Sequence, residues 1–138
     1  MSHFPPQMHE VNAILTEYVS IHEEIFGFSW RKIIPIPGLF RAIDYGQHYR
    51  QLGLLVGRLN TILNSSANDD LPLVFSHYLN ALLSTVGALR DMCESLLEKS
   101  KGGDYPLVQY RADVARYESL VREYSDLGAH LNRELGIC

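Results

Sequence analysis

The chain has 138 residues, 46% of them hydrophobic and 20% charged, which predicts one globular domain over residues 1–138. Its formal net charge of -4 disfavours a phosphate-binding surface, so we expect no nucleic-acid partner. No apolar run reaches the roughly 18 residues of a membrane span, and the two cysteines form neither a disulfide framework nor a zinc motif, which predicts a cytoplasmic protein.

Four stretches carry apolar residues at alternating steps of three and four, a pattern typical of helices that pack lengthwise on one another. The spacing predicts helices over residues 7–34, 39–64, 71–100 and 105–135. Asp70 and Pro72 favour a helix start, and the glycines of K-S-K-G-G favour a helix end. Because the connections are short, we expect an all-α, single-domain, antiparallel up-down-up-down four-helix bundle.

The first helix is predicted to continue past Gly27 to about Ile34, which matches it in length to the other three. Beyond Gly27 its apolar residues shift by about 100° around the helix and leave the earlier seam. They either fold over the open end of the bundle or form a docking surface for another protomer or partner; contact with a membrane surface is a third, less favoured reading. The candidate interface residues are Phe26, Trp30, Arg31 and Ile33.

A ladder of tyrosines follows the last predicted helix, with Tyr110, Tyr117 and Tyr124 one heptad apart. A buried phenol oxygen needs a partner, so either the hydroxyls reach the bundle edge or the ladder lines an interface. The arginines of this helix alternate with acidic residues, and Glu118 precedes Arg122 by four, which predicts an intrahelical ion pair. Arginines engaged in this way leave no positive groove for a single-stranded nucleic acid.

Metal ligands and nucleophiles are sparse. Asp126, His130 and Glu134 follow one another at steps of four, which could bring three ligands to one ion, and Asp44 and His48 repeat that step once. An ordinary solvated helical face is the alternative reading. No carboxylate falls on an apolar seam, so we expect no cofactor. Cys93 does fall on a seam, which predicts a small buried hydrophobe with an unreactive thiol.

The segment R-A-I-D-Y-G-Q-H resembles the Arg-to-His spacing of HEPN ribonucleases, which are compact helical domains. The resemblance implies that Arg41 would hold a phosphate and that His48 would act as the base, but Ala42 replaces the expected polar residue. Chance spacing is the alternative. The sequence as a whole favours a non-catalytic protein that acts by protein–protein interaction, as a homodimer or a docking module, without a small-molecule substrate. A metal-dependent or hydrolytic enzyme is the alternative.

Overall fold

A computed structural model describes residues 6–26, 44–65 and 73–134 of the chain. Within these ranges the chain forms four α-helices and no strand, and consecutive helices pack on one another, which confirms the predicted all-α four-helix bundle. The helices are α1 (Pro6–Phe26), α2 (Tyr45–Ser65), α3 (Leu73–Ser100) and α4 (Leu107–Glu134). None of the helices in the described ranges combines the length and the apolarity that crossing a bilayer requires.

The second helix starts later than predicted because Asp44 caps it. The backbone amide of Gln47 donates to Asp44 Oδ1 at 3.0 Å, which satisfies one of the free amides of the first turn. A continuous helix from residue 39 is therefore wrong, since Asp44 itself lies outside the helix. The predicted extension of the first helix over residues 27–34 and the predicted cap at Asp70 fall outside the described residues.

The third helix ends as predicted, at the two glycines. Gly102 adopts a positive φ of 93°, which costs glycine little because it has no Cβ. Its amide donates to the Lys99 carbonyl at 3.0 Å, and the Gly103 amide donates to the Glu98 carbonyl at 2.8 Å. This pair of bonds is a Schellman motif, and it turns the chain back toward α4.

The hydrophobic core is a single cluster to which the four helices contribute unequally. α3 is the central element and buries apolar side chains from Phe75 to Cys93, whereas α4 fully buries only Tyr117 and Leu131. α1 buries the seam that its periodicity predicts, which consists of Val11, Ile14, Tyr18, Ile21 and Ile25. Because α4 is amphipathic with a narrow apolar stripe, most of its surface stays exposed.

Helix α1 is held to α2 by polar contacts as well as apolar ones. Arg58 Nη1 donates to Glu17 Oε2 at 2.6 Å, and Gln51 Nε2 donates to Glu17 Oε1 at 3.3 Å. The backbones of α2 and α3, and of α3 and α4, approach closely along their length. The backbones of α1 and α4 approach at very few points, so these two helices meet chiefly through long side chains.

Candidate binding groove between helices α1 and α4

Two tyrosines and a histidine form a hydrogen-bonded chain across the seam between α1 and α4. The hydroxyl of Tyr18 lies within hydrogen-bond distance of the hydroxyl of Tyr117, and His22 Nδ1 lies 2.7 Å from the same Tyr117 oxygen. All three groups are satisfied when Tyr18 donates to Tyr117 and Tyr117 donates to a neutral His22. Tyr117 is therefore the centre of the chain, and its side chain is only 1% exposed.

Aromatic rings surround this chain. The ring of Phe26 stacks on that of Tyr117 at 5.4 Å and 19°, and the His22 ring lies 5.0 Å from Phe26. Tyr124 meets Tyr18 edge to face at 6.2 Å on the inner side. Stacked and edge-to-face pairs at these distances stabilise beyond the area they bury, so the rings add to the stability of the contact between α1 and α4.

Burial sets the protonation state of these groups. Desolvation raises the pKa of the Tyr117 hydroxyl and that of the Tyr18 hydroxyl, so both phenols stay neutral in ordinary buffers. Desolvation also lowers the pKa of His22 below its usual 6.5, against a smaller opposing effect of the Glu23 carboxylate. A neutral imidazole at pH 7 is the form that accepts the Tyr117 hydrogen bond.

An open groove of about 630 Å³ lies outside these rings. Its floor and walls combine aromatic and aliphatic side chains, namely His22, Phe26, Tyr110, Val114, Tyr117 and Val121. Its charged lining consists of Arg111, Glu118 and Arg122, all exposed on α4. The groove therefore has an apolar base and an edge with an excess of one positive charge, on a chain whose net charge is -4.

The arginines of this edge are free of ion pairs with described residues. The sequence predicts that Arg122 pairs with Glu118, but the structure shows no such contact, and Arg111 likewise has no acidic partner in the described ranges. An exposed pair at this spacing is worth only about 0.3–0.5 kcal/mol, which is too little to hold two long side chains together. Two cationic groups thus remain available at the groove.

The structure brings part of the predicted interface together. Phe26, Tyr110 and Tyr117 line the groove, whereas Tyr124 packs behind it against Tyr18 and Tyr78. The hydroxyl of Tyr117 is buried and hydrogen-bonded inside the bundle, so it does not reach the bundle edge. The other three interface candidates, Trp30, Arg31 and Ile33, lie outside the described residues, and their role stays a prediction.

The predicted metal ligands do not gather around one point. His130 Nε2 lies 3.4 Å from Glu134 Oε1, and both side chains are 51% exposed, as in a surface pair. Across the described ranges, no three His, Cys, Asp or Glu side chains are grouped closely enough to hold an ion, so Asp126 does not join this pair. The residues His130 and Glu134 fit a solvated helical face.

His48 occupies a different setting from the one that the ribonuclease resemblance implies. Its side chain is buried, and its Nε2 lies 3.3 Å from Glu24 Oε1 on α1, at an angle that does not make a hydrogen bond. His48 therefore packs at the α1–α2 contact. Arg41 falls outside the described residues, so the Arg41/His48 pair stays an untested prediction.

Sequence reasoning did not single out three groove residues, His22, Val114 and Val121, or Tyr18, which belongs to the hydrogen-bonded chain beneath the groove. Tyr18 sits on the first apolar seam and His22 four residues later, so a signal existed, since i and i+4 lie on one helix face. Nothing in the sequence pairs that face with the tyrosine ladder, which begins more than eighty residues downstream. Only the packing of α1 beside α4 connects them.

The fold and this site define an all-α four-helix bundle with an aromatic groove between its first and last helices. The chain matches no known protein family, no curated protein and no solved structure.

The lowered pKa of His22 predicts that the stability of the folded protein depends on pH. Because burial lowers the pKa of His22 in the folded state, the unfolded chain binds its proton first as the pH falls below about 6.5. The free energy of unfolding should therefore decrease from pH 7 to pH 5, and it should decrease less in His22→Gln, which keeps a hydrogen-bond acceptor for Tyr117. Urea denaturation at several pH values measures this difference. His77→Gln, at an exposed position on α3, is the control, and an unchanged slope in His22→Gln would contradict the assignment.

Proposed function

We propose that this chain is a non-catalytic docking module, and that the groove between α1 and α4 binds an acidic amphipathic helix of another protein. The observation that carries the proposal is an apolar, aromatic-floored groove edged by two arginines without ion pairs among the described residues. Binding of a helix in a groove uses apolar anchors at helical spacing, and the groove offers a continuous strip of apolar side chains for them.

The groove is large enough to hold an inserted side chain of a partner helix together with the side chains next to it. A volume of about 630 Å³ exceeds that of any single side chain and is open along α4. The half-buried ring of Phe26 stacks on the buried ring of Tyr117, and Val114 and Val121 line the groove one heptad apart on α4. Aromatic anchors with a nearby arginine are the typical composition of energetic hot spots in protein interfaces.

The charges of the edge support an acidic partner. Arg111 and Arg122 both line the groove, and Glu118 is the one acidic residue of its described lining, so the charge of the edge favours an acidic helix over a basic one. Guanidinium groups form bidentate hydrogen bonds with carboxylates, which adds geometric selectivity. We also propose a cytoplasmic location, supported by the free and buried Cys93 thiol.

Homodimerisation through Phe26, Trp30, Arg31 and Ile33 remains a separate proposal, because only Phe26 of these is described. Sedimentation of wild type and Trp30→Ala at several concentrations tests it. A dimer that dissociates in the variant would support this patch as the contact, whereas a monomeric wild type or an unchanged dimer would exclude it.

A single substitution in the groove wall tests the docking proposal. We expect Val114→Asp to weaken binding of a designed 20-residue amphipathic peptide, with leucine and phenylalanine anchors between glutamates, by at least about tenfold. Fluorescence anisotropy of the labelled peptide measures the affinity. Val108→Asp is the matched control, because Val108 is 81% exposed on the same helix and does not line the groove.

Circular dichroism of each variant shows that the fold is kept. If wild type fails to bind the peptide, or if both variants bind it as well as wild type, this groove is not the docking surface. Weakened binding in both variants alike would also exclude it, because Val108 lies elsewhere.

A further inference from the structure

We infer that the partner helix carries an acidic–basic–acidic triplet, and that the spacing of this triplet sets the direction in which the helix lies along α4. The inference rests on the proposed docking function and names its partner more sharply. It starts from the order of charges along the groove edge, which is Arg111, Glu118 and Arg122.

These three charges lie on one edge of α4 at unequal intervals. Glu118 follows Arg111 by seven residues and precedes Arg122 by four, and both intervals return to nearly the same side of a helix. At a rise of 1.5 Å per residue, the intervals correspond to about 10 Å and about 6 Å along the axis. All three side chains are exposed, and neither the two arginines nor Glu118 has an ion-pair partner among the described residues.

Unequal spacing makes the edge directional. A helix parallel to α4 matches it with an acidic residue, a basic residue seven positions later and an acidic residue eleven positions after the first. A helix antiparallel to α4 matches this edge with an acidic residue, a basic residue four positions later and a second acidic residue eleven positions after the first. Helices in such bundles cross at about 20°, so long charged side chains can stay in reach over this length.

The chain cannot serve as its own partner under this rule. Neither triplet occurs with a lysine or an arginine at its basic position. The nearest arrangement is Glu123, His130 and Glu134, at relative positions zero, seven and eleven, but His130 Nε2 already lies 3.4 Å from Glu134 Oε1 of the same helix. The assigned occupant is therefore a helix of a different protein, and the charge order distinguishes it from the many amphipathic helices that merely fit the apolar base.

Charges at the edge of an interface act mainly on register, partner choice and association rate. Exposed ion pairs contribute modestly one at a time, so three matched contacts should change affinity by about tenfold, and inverting all three should cost a similar factor through like-charge repulsion. The direction of binding is the more sensitive readout, because apolar anchors alone allow both directions.

The experiment uses three designed peptides with identical apolar anchors. In the first peptide, an acid, a base and an acid occupy relative positions zero, four and eleven. In the second peptide, the same three charges occupy relative positions zero, seven and eleven. The third peptide has its charges at positions zero, four and eleven with every sign inverted. Each carries a nitroxide label at its N-terminus and is titrated into the full chain labelled with nitrogen-15. The first peptide should broaden signals near Leu127, and the second should broaden signals near Tyr110.

Charge inversion on the protein completes the test. In Arg111→Glu/Glu118→Lys/Arg122→Glu, the inverted peptide should become the tighter ligand by about tenfold, whereas Arg116→Glu, at an exposed position outside the groove, should keep the wild-type preference. Binding of all three peptides with equal affinity, or broadening at the same end by the first two, would overturn the triplet and leave the docking function standing. Binding of none would overturn both.

Discussion

Replacement of Tyr117 by alanine should lower the free energy of unfolding by about 3–5 kcal/mol, the usual cost of removing a large buried aromatic side chain. Tyr117 is 1% exposed and joins α1 to α4 through both its ring and its hydroxyl. Because α4 fully buries only one other side chain, Leu131, the loss falls on a helix with little further apolar anchoring. Chemical denaturation monitored by circular dichroism measures the change.

Tyr117→Phe separates the ring from the hydroxyl. It keeps the stack on Phe26 but leaves the Tyr18 hydroxyl and His22 Nδ1 without their common partner, so we expect a loss of about 1–3 kcal/mol. Tyr110→Phe is the matched control, since the half-buried Tyr110 hydroxyl makes no hydrogen bond with a described residue, and it should change stability by less than about 0.5 kcal/mol. Equal stability of Tyr117→Phe and wild type would show that the hydroxyl chain does not contribute.

The second large effect concerns the thiol of Cys93, which should be almost inert while the protein is folded. Cys93 is fully buried, and burial raises its pKa from 9.0 to about 12, so the thiolate fraction at neutral pH falls about a thousandfold. In a Cys138→Ser background, Ellman's reagent should react with native protein at least about a thousandfold more slowly than with protein unfolded in guanidinium.

The unfolded sample controls for the reagent, and the remaining slow reaction should follow the rate of global unfolding. Prompt labelling of the native variant would show that α3 opens at Cys93, and the description of that position as core would then fail. This result bears on the packing of α3 against its neighbours and is independent of the groove.

Much of the fold could be predicted because the signals are local. Apolar residues at steps of three and four make a helix amphipathic whatever surrounds it, so four such stretches already require four helices with a common core. The end of α3 was predictable for a similar reason, since only glycine adopts the conformation of Gly102 at low cost. The seam position of Cys93 likewise follows from its spacing.

Other features could not be read from one stretch at a time. The start of α2 depends on whether Asp44 uses its side chain as a cap or points to solvent, and both choices are open to an aspartate in isolation. The intrahelical pair of Glu118 and Arg122 was predicted and is absent from this part of the structure, because its small energy does not outweigh hydration. The partners of the tyrosine ladder were likewise unknown.

The sequence by itself determined the helical class, the four helices of the described residues and the inward faces of α1 and α3, because these properties follow from periodicity and turn chemistry within short segments. On α2 the buried face is that of His48, Leu55 and Ile62, which the predicted seam does not contain. Only the tertiary structure decided that Tyr18 and His22 meet Tyr117, residues about a hundred positions apart, and that α1 and α4 stay far enough apart to leave a groove. The physical reason is that helix spacing depends on the volumes of side chains from both partners at once, and no single segment contains that information.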